Sequence, residues 1–166
     1  MFSNPFAQAI AVAIILTAGF AAWKGDRAER WGGLMNLAAL VLVWTIHNIR
    51  ALVDIGDPAT LLLVADGALA LGFLLLAIRY ASFWIGGAMI LQAVQFSLHA
   101  YYLIGEVPHD RFYSRVNNID TIGILLVIIA GAALAWRKRE RLAREDAAKA
   151  EAHALALAQT HAKESP

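Results

Sequence analysis

Six residues of this chain carry side chains that can exchange protons or ligate ions, yet lie within long apolar runs: His47, Asp66, Gln92, Gln95, His99 and Asp120. Imidazole titrates near neutral pH and binds haem iron or zinc, and a carboxylate can pair with it, take its proton or hold a cation. Such groups are costly inside a bilayer, so each asks for a partner or a role. On the helical period, Asn36, Val43, His47, Arg50 and Asp54 share one face, and Gln92, Gln95, His99, Tyr102 and Glu106 share another. Both histidines stand sixteen residues after the aromatic that opens their span, Trp31 and Phe83. That spacing predicts equal depth, about 7 to 9 Å above the midplane in the outer leaflet. His47 and His99 are therefore expected to face one another, with Asp66 within reach and Asn117, Asn118 and Asp120 at the outer mouth.

Three functions fit such a cluster. The first is structural: amide and imidazole groups hydrogen-bond between helices while glycines allow close packing, so the protein is an accessory or assembly subunit of a membrane complex. This is the leading expectation. In the second, Asp66, His47 and His99 form part of a transporter or a proton or cation pathway. In the third, His47 and His99 ligate a b haem, or the cluster binds a quinone or a metal, in a membrane redox subunit. No cofactor other than this haem is suggested.

The elements that must hold these residues are transmembrane helices. Of 166 residues, 60% are hydrophobic and only 16% charged, well outside the balance of a water-soluble domain. The charges lie in short breaks and one tail, separated by apolar stretches long enough for a hydrocarbon core of about 30 Å. Runs such as Leu37 to Val43 and Ile122 to Ala130 do not alternate, which excludes a β-barrel. The fold expected is an all-α, polytopic membrane bundle of about five spans: Pro5 to Trp23, Trp31 to Val53, Ala59 to Ile78, Ser82 to Ile104 and Ile119 to Trp136. Arg79 and Tyr80 alone mark the turn between the third and fourth spans, so it must be tight. Trp23, Trp31, Tyr80, Trp84, Tyr101, Tyr102 and Trp136 stand near span ends, as interfacial anchors do.

Orientation follows from the basic residues. Of the fourteen Lys and Arg, only Arg50, Arg111 and Arg115 fall on one side of the bundle. The positive-inside rule then places the N-terminus outside and the C-terminus in the cytoplasm, in a multi-pass protein of the plasma (inner) membrane. Residues 1–136 form the transmembrane domain, and residues 137–166 a basic, Ala-rich helical tail with Glu140/Arg144 and Glu145/Lys149 at helical spacing. The start of the chain lacks the basic region of a secretory signal, so the first span reads as retained.

An internal repeat is also suggested. An offset of 52 residues sets Trp44-Thr45-Ile46-His47 over Phe96-Ser97-Leu98-His99 and Asp54 over Glu106, and a slightly larger one sets Asp66 over Asp120. Spans two and three would then be one unit and spans four and five its copy in the same orientation. The His109-Asp110-Arg111 run follows Pro108 and reads as a solvated cap. With no cysteine, thiolate chemistry is excluded. No phosphate loop, nucleophile elbow or zinc-protease signature occurs, so an enzyme acting on soluble substrates is not expected. Nor is a nucleic acid. The partners expected are the lipid bilayer and other membrane subunits or a second copy of the chain.

Overall fold

A computed structural model describes residues 5–49, 58–108 and 110–164. Five helices run in order: α1 (Pro5–Lys24), α2 (Arg27–Ile49), α3 (Pro58–Tyr80), α4 (Phe83–Ile104) and α5 (Arg111–Glu164). Among the described residues there is no strand. Four of the helices, α1, α2, α3 and α5, are long and apolar enough to cross a membrane. The 22 residues of α4 reach a similar length, but Gln92, Gln95, His99, Tyr101 and Tyr102 dilute its apolar character. Arg50, Asp54 and His109, together with the expected end of the second span at Val53, lie outside the described residues.

Each helix packs on its neighbours in the chain, and α1 closes the ring against α5. The turns explain the antiparallel course. Between α1 and α2, a Cβ on Gly25 would stand 2.5 Å from the Ala21 carbonyl oxygen and 2.9 Å from Glu29 Cβ, so only glycine fits there. Arg30 Nε donates to the Gly25 carbonyl at 2.9 Å and closes that corner. The α3–α4 connection is as tight as expected: Ala81 adopts a positive φ of 49° and Ser82 caps α4 by accepting from Ile85 N at 3.3 Å. At the opposite end, Asp110 caps α5 by accepting from Tyr113 N at 2.8 Å.

α2 and α5 begin earlier than their apolar runs, at Arg27 and Arg111 instead of Trp31 and Ile119. Hydropathy marks what a bilayer accepts, whereas a helix starts at its cap, and Asp110 supplies that cap one residue before α5. The helix also runs without a break past Trp136 to Glu164.

The core is apolar and built largely from small residues. Phe73, Ile85, Ala88, Ile128 and Ala132 are fully buried, with Ala21, Ala28, Leu69 and Ile124 around them. Many large apolar side chains point outward instead, among them Leu16, Val64, Leu75, Ile90 and Leu126. An exterior of this kind is unfavourable in water and suits lipid.

Candidate functional site

Near the end of the bundle that carries the α4–α5 loop, all five helices contribute to one cavity of about 310 Å³. Its apolar wall includes Ile10 and Ile14 of α1, Leu40 and Val43 of α2, and Leu62 and Leu69 of α3. Its polar wall joins Asn36, Asp66, Gln92, Gln95, His99, Tyr113, Asn117 and Thr121. A handful of directed polar groups set in apolar surroundings is the usual composition of a small-molecule site.

The polar side chains form one continuous network. Gln92 Nε2 donates to Asp66 Oδ1 at 3.2 Å, and Asp66 Oδ2 pairs with His99 Nδ1. The other imidazole nitrogen, Nε2, lies 3.0 Å from Asn117 Oδ1, which also accepts from Gln95 Nε2 at 3.1 Å. The chain Gln92–Asp66–His99–Asn117–Gln95 thus links α3, α4 and α5. Gln92 is only 2% exposed, whereas the Asp66 and His99 side chains each keep 17% of their surface open. The pair is therefore held by the network yet still reachable from the cavity.

Proton count and amide orientation are linked in this chain. With an oxygen facing each ring nitrogen, His99 is fully satisfied as the imidazolium. If the Asn117 and Gln95 amides turn over together, Asn117 Nδ2 donates to His99 Nε2 and to Gln95 Oε1, and the neutral ring is satisfied instead. O and N of an amide are assigned through the network they serve, so both orientations fit the same positions.

A second cavity of about 320 Å³ lies on the loop side and shares Leu62, His99 and Tyr113 with the first. Tyr102, Glu106 and Val107 line its outer part, giving the network a mouth. Tyr113 stacks at a tilt on His99 with ring centroids 5.5 Å apart and packs edge-on against Tyr102 at 4.9 Å. Tyr102 donates its hydroxyl to Asp110 Oδ1 at 2.8 Å. The Tyr113 N–H and the Tyr102 hydroxyl together hold the Asp110 carboxyl below the usual carboxylate range. The loop aspartate read as part of a solvated cap is exposed, and it also fastens the mouth.

Four of the six residues singled out in the sequence, Asp66, Gln92, Gln95 and His99, meet in this network. Asp120 is nearby on α5, one turn beyond Asn117; it is 4% exposed, and among the described residues its buried Oδ2 has no hydrogen-bond partner. His47 is exposed in the last turn of α2 and is not among the residues that line the cavity. The reason is not depth: Glu29 meets Ser82 and Gly32 meets Ile85, a register that sets His47 within one residue of the level of His99, but the His47 side chain is turned to the exterior. Both nitrogens of His99 are occupied by Asp66 and Asn117 in any case. Among the described residues, no three His, Asp or Glu side chains converge on a metal position.

Asn117 was expected only at the outer mouth, yet it is the acceptor that completes the chain. The sequence signal for it was its place one turn before Asp120 on the inward side of the fifth span. Glu29 had no such signal, being near the turn in a charged stretch. It is nevertheless 5% exposed, and its Oε1 accepts from Ser82 Oγ at 3.1 Å across the bundle.

Comparison with protein-family models, curated proteins and solved structures finds no match to this chain.

Proposed function

We propose that this protein is a five-span membrane protein of the plasma membrane, with its N-terminus outside and its C-terminus in the cytoplasm, in which Asp66 and His99 carry a proton beside a solute cavity. It is thereby a transporter or a component of a proton-linked pathway. The span that this reading adds to the other four is α4, whose Gln92, Gln95 and His99 turn inward, and the orientation rests on the distribution of Lys and Arg. The cavity then opens through its mouth to the outside.

The observation that carries the reading is the Asp66–His99 pair on the wall of a cavity to which every helix contributes. Purely structural polar contacts need no such space, since helices joined by them pack with small residues at the contact. The two hydrogen-bonding solutions of the network also suit reversible proton binding, because neither state leaves a ring nitrogen unsatisfied. Removal of the proton leaves Asp66 uncompensated, a state that favours entry of a cation or return of a proton. If the tandem repeat holds, Asp120 is the copy of Asp66 and gives the second unit its own carboxylate.

The haem reading needs His47 beside His99, whereas His47 is exposed and does not line the cavity. The accessory-subunit reading keeps one specific support, the exposed run of α5 past Trp136, which offers a membrane partner or a second copy a surface to hold. The two are separated by reconstituting the full chain in liposomes with a trapped pH-sensitive dye and imposing a potassium diffusion potential. Proton entry above that of empty liposomes, lost in both Asp66→Asn and His99→Gln while each remains monodisperse and helical, is expected. A wild-type rate equal to that of empty liposomes, or one unchanged in the two variants, overturns the proton reading in favour of the accessory one.

A further inference from the structure

At the opposite end of the bundle from Asp66 and His99 lies another pocket, about 590 Å³, formed where the α1–α2 and α3–α4 turns meet α5. Its buried acid is Glu29. In the first turn of a helix, glutamate commonly reaches back to the free N–H groups of its own helix. Here it turns into the bundle and accepts from Ser82. The seat is cut to its shape: a Cβ on Gly131 would stand 3.1 Å from Glu29 Cγ and 2.9 Å from Trp84 Cβ, and Gly25 gives way on the other side. The ionisable or polar groups around it are Asp26 from the α1–α2 turn, Arg27 from α2, Tyr80 from α3, Ser82 before α4 and Lys138 from α5.

Between this pocket and the Asp66–His99 cavity the buried side chains of α2 to α5 are apolar; the intervening Arg30 and Arg79 are exposed, and α1 adds a buried Thr17. On α5, Ile128 separates Ile124 of the cavity from Gly131 of the pocket; on α4, Ile85 and Ala88 separate Trp84 from Gln92. On α3, Phe73 lies between Leu69 and Tyr80, and on α2, Gly32 lies between Glu29 and Asn36. Phe73, Ile85, Ala88 and Ile128 are all fully buried. Gly32 adds the close contact, since a Cβ there would come within 2.7 Å of Ile85 Cδ1. Seven residues of helix separate the two sites on both α2 and α5, roughly 10 Å at about 1.5 Å per residue.

We infer that Glu29 is the inner proton station of the pathway proposed above, and that Phe73, Ile85 and Ile128 form the apolar plug that separates it from the outer station at Asp66 and His99. The inference rests on the proton-linked reading. A buried carboxylate in an open pocket can take a proton from one aqueous side only, because the plug holds no polar group to pass it on. Transfer between stations then requires the plug to part, so that the protein conducts in steps and does not leak. Ser82, donating to Glu29 while capping α4, ties the protonation of the carboxylate to the packing of α4, the helix that carries Ile85 and His99.

The test uses the full chain in the same dye-loaded liposomes. Glu29→Gln is expected to lower proton entry at least fivefold, with Glu29→Asp retaining most of it. Phe73→Ala is expected to raise entry at least fivefold by opening the plug, and Glu29→Gln added to it should cancel the increase. Should Phe73→Ala fail to fold, Ile128→Ala makes the same measurement. A wild-type rate that needs Asp66 and His99 but is unchanged in Glu29→Gln overturns the inner station alone. A plug variant that is folded yet no leakier than wild type overturns the plug. If wild type and plug variants all match empty liposomes, both this inference and the proton-linked reading fall.

Discussion

Replacing Asp66 by leucine isolates what the network contributes to stability. Two donors lose their acceptor, Gln92 Nε2 and His99 Nδ1. The cost differs between them, because Gln92 is 2% exposed and cannot turn to water, whereas His99 borders the cavity and can also release a proton. A stranded buried donor costs about 1–3 kcal/mol in water-soluble proteins. Interhelical hydrogen bonds in membranes average nearer ~0.6 kcal/mol, with a maximum of about 1.7. The expected loss for Asp66→Leu is therefore about 1–3 kcal/mol, most of it from Gln92. Asp66→Asn keeps one acceptor oxygen and should lose about half as much. In Asp66→Leu combined with Gln92→Leu the stranded donor is gone, so the double variant should be more stable than the sum of the singles by about 1 kcal/mol. Reversible unfolding in mixed micelles, followed by the fluorescence of the five tryptophans and by helical circular dichroism, measures each corner of this cycle. A coupling indistinguishable from zero, with Asp66→Leu as stable as wild type, would mean that the network does not form in the membrane, and the functional argument built on it would fail with it.

Three further outcomes are expected. A reporter active only in the cytoplasm should be active when fused after Arg144 and silent when placed at Pro108; activity at both places would refute the orientation. Because the Tyr113 N–H and the Tyr102 hydroxyl lower the folded-state value of Asp110, its contribution to stability is present above the unfolded carboxylate value and fades as pH falls through the folded one. Protection of the Tyr113 amide, its exchange rate set against the intrinsic rate at each pH, should accordingly fall in acid in the wild type, and the Asp110→Ala variant should show the lower protection already at neutral pH; equal protection in both proteins at neutral pH contradicts the cap. Asp120, buried with an unpaired Oδ2, should be a net cost to folding, so Asp120→Ala should match or exceed wild-type stability by up to about 2 kcal/mol in the same micelle unfolding, and a clear loss would reveal a required partner.

The helices and the identity of the polar face on α4 were legible because both follow from local periodicity: apolar runs mark spans, and Gln92, Gln95 and His99 recur on one side. Asp66 was legible for the opposite reason, as an isolated charge that lipid would not accept. What periodicity cannot supply is which neighbour a helix face meets. Counting from Trp31 and Phe83 equated the depths of His47 and His99, in keeping with the Glu29–Ser82 and Gly32–Ile85 contacts. Equal depth did not put His47 on the cavity wall, where Asn36, Leu40 and Val43 stand for α2. Pairing between helices was equally hidden. Asn117 as the second acceptor of His99, and Glu29 as an inward-facing acid beside Ser82, depend on how α5 and α2 are rotated in the closed ring, which no single helix encodes.

The uninterrupted course of α5 has a mechanical consequence. The helix is 54 residues long, so it extends roughly 80 Å at about 1.5 Å per residue. From Arg137 to Glu164 it is a rod of roughly 40 Å with no bundle around it. Arg139 pairs with Asp26 and with the Lys24 carbonyl near the root of that rod, and Lys24 lies over the Trp136 ring at 4.1 Å. These contacts make a fulcrum on the α1–α2 turn, where Asp26 itself lines the Glu29 pocket. A tilt of about 10° around it would displace the far end of the rod by roughly 7 Å. A load on the tail is thus geared down into a small, forceful movement at the turn beside Glu29, and a small repacking there is geared up into a displacement that another molecule can feel.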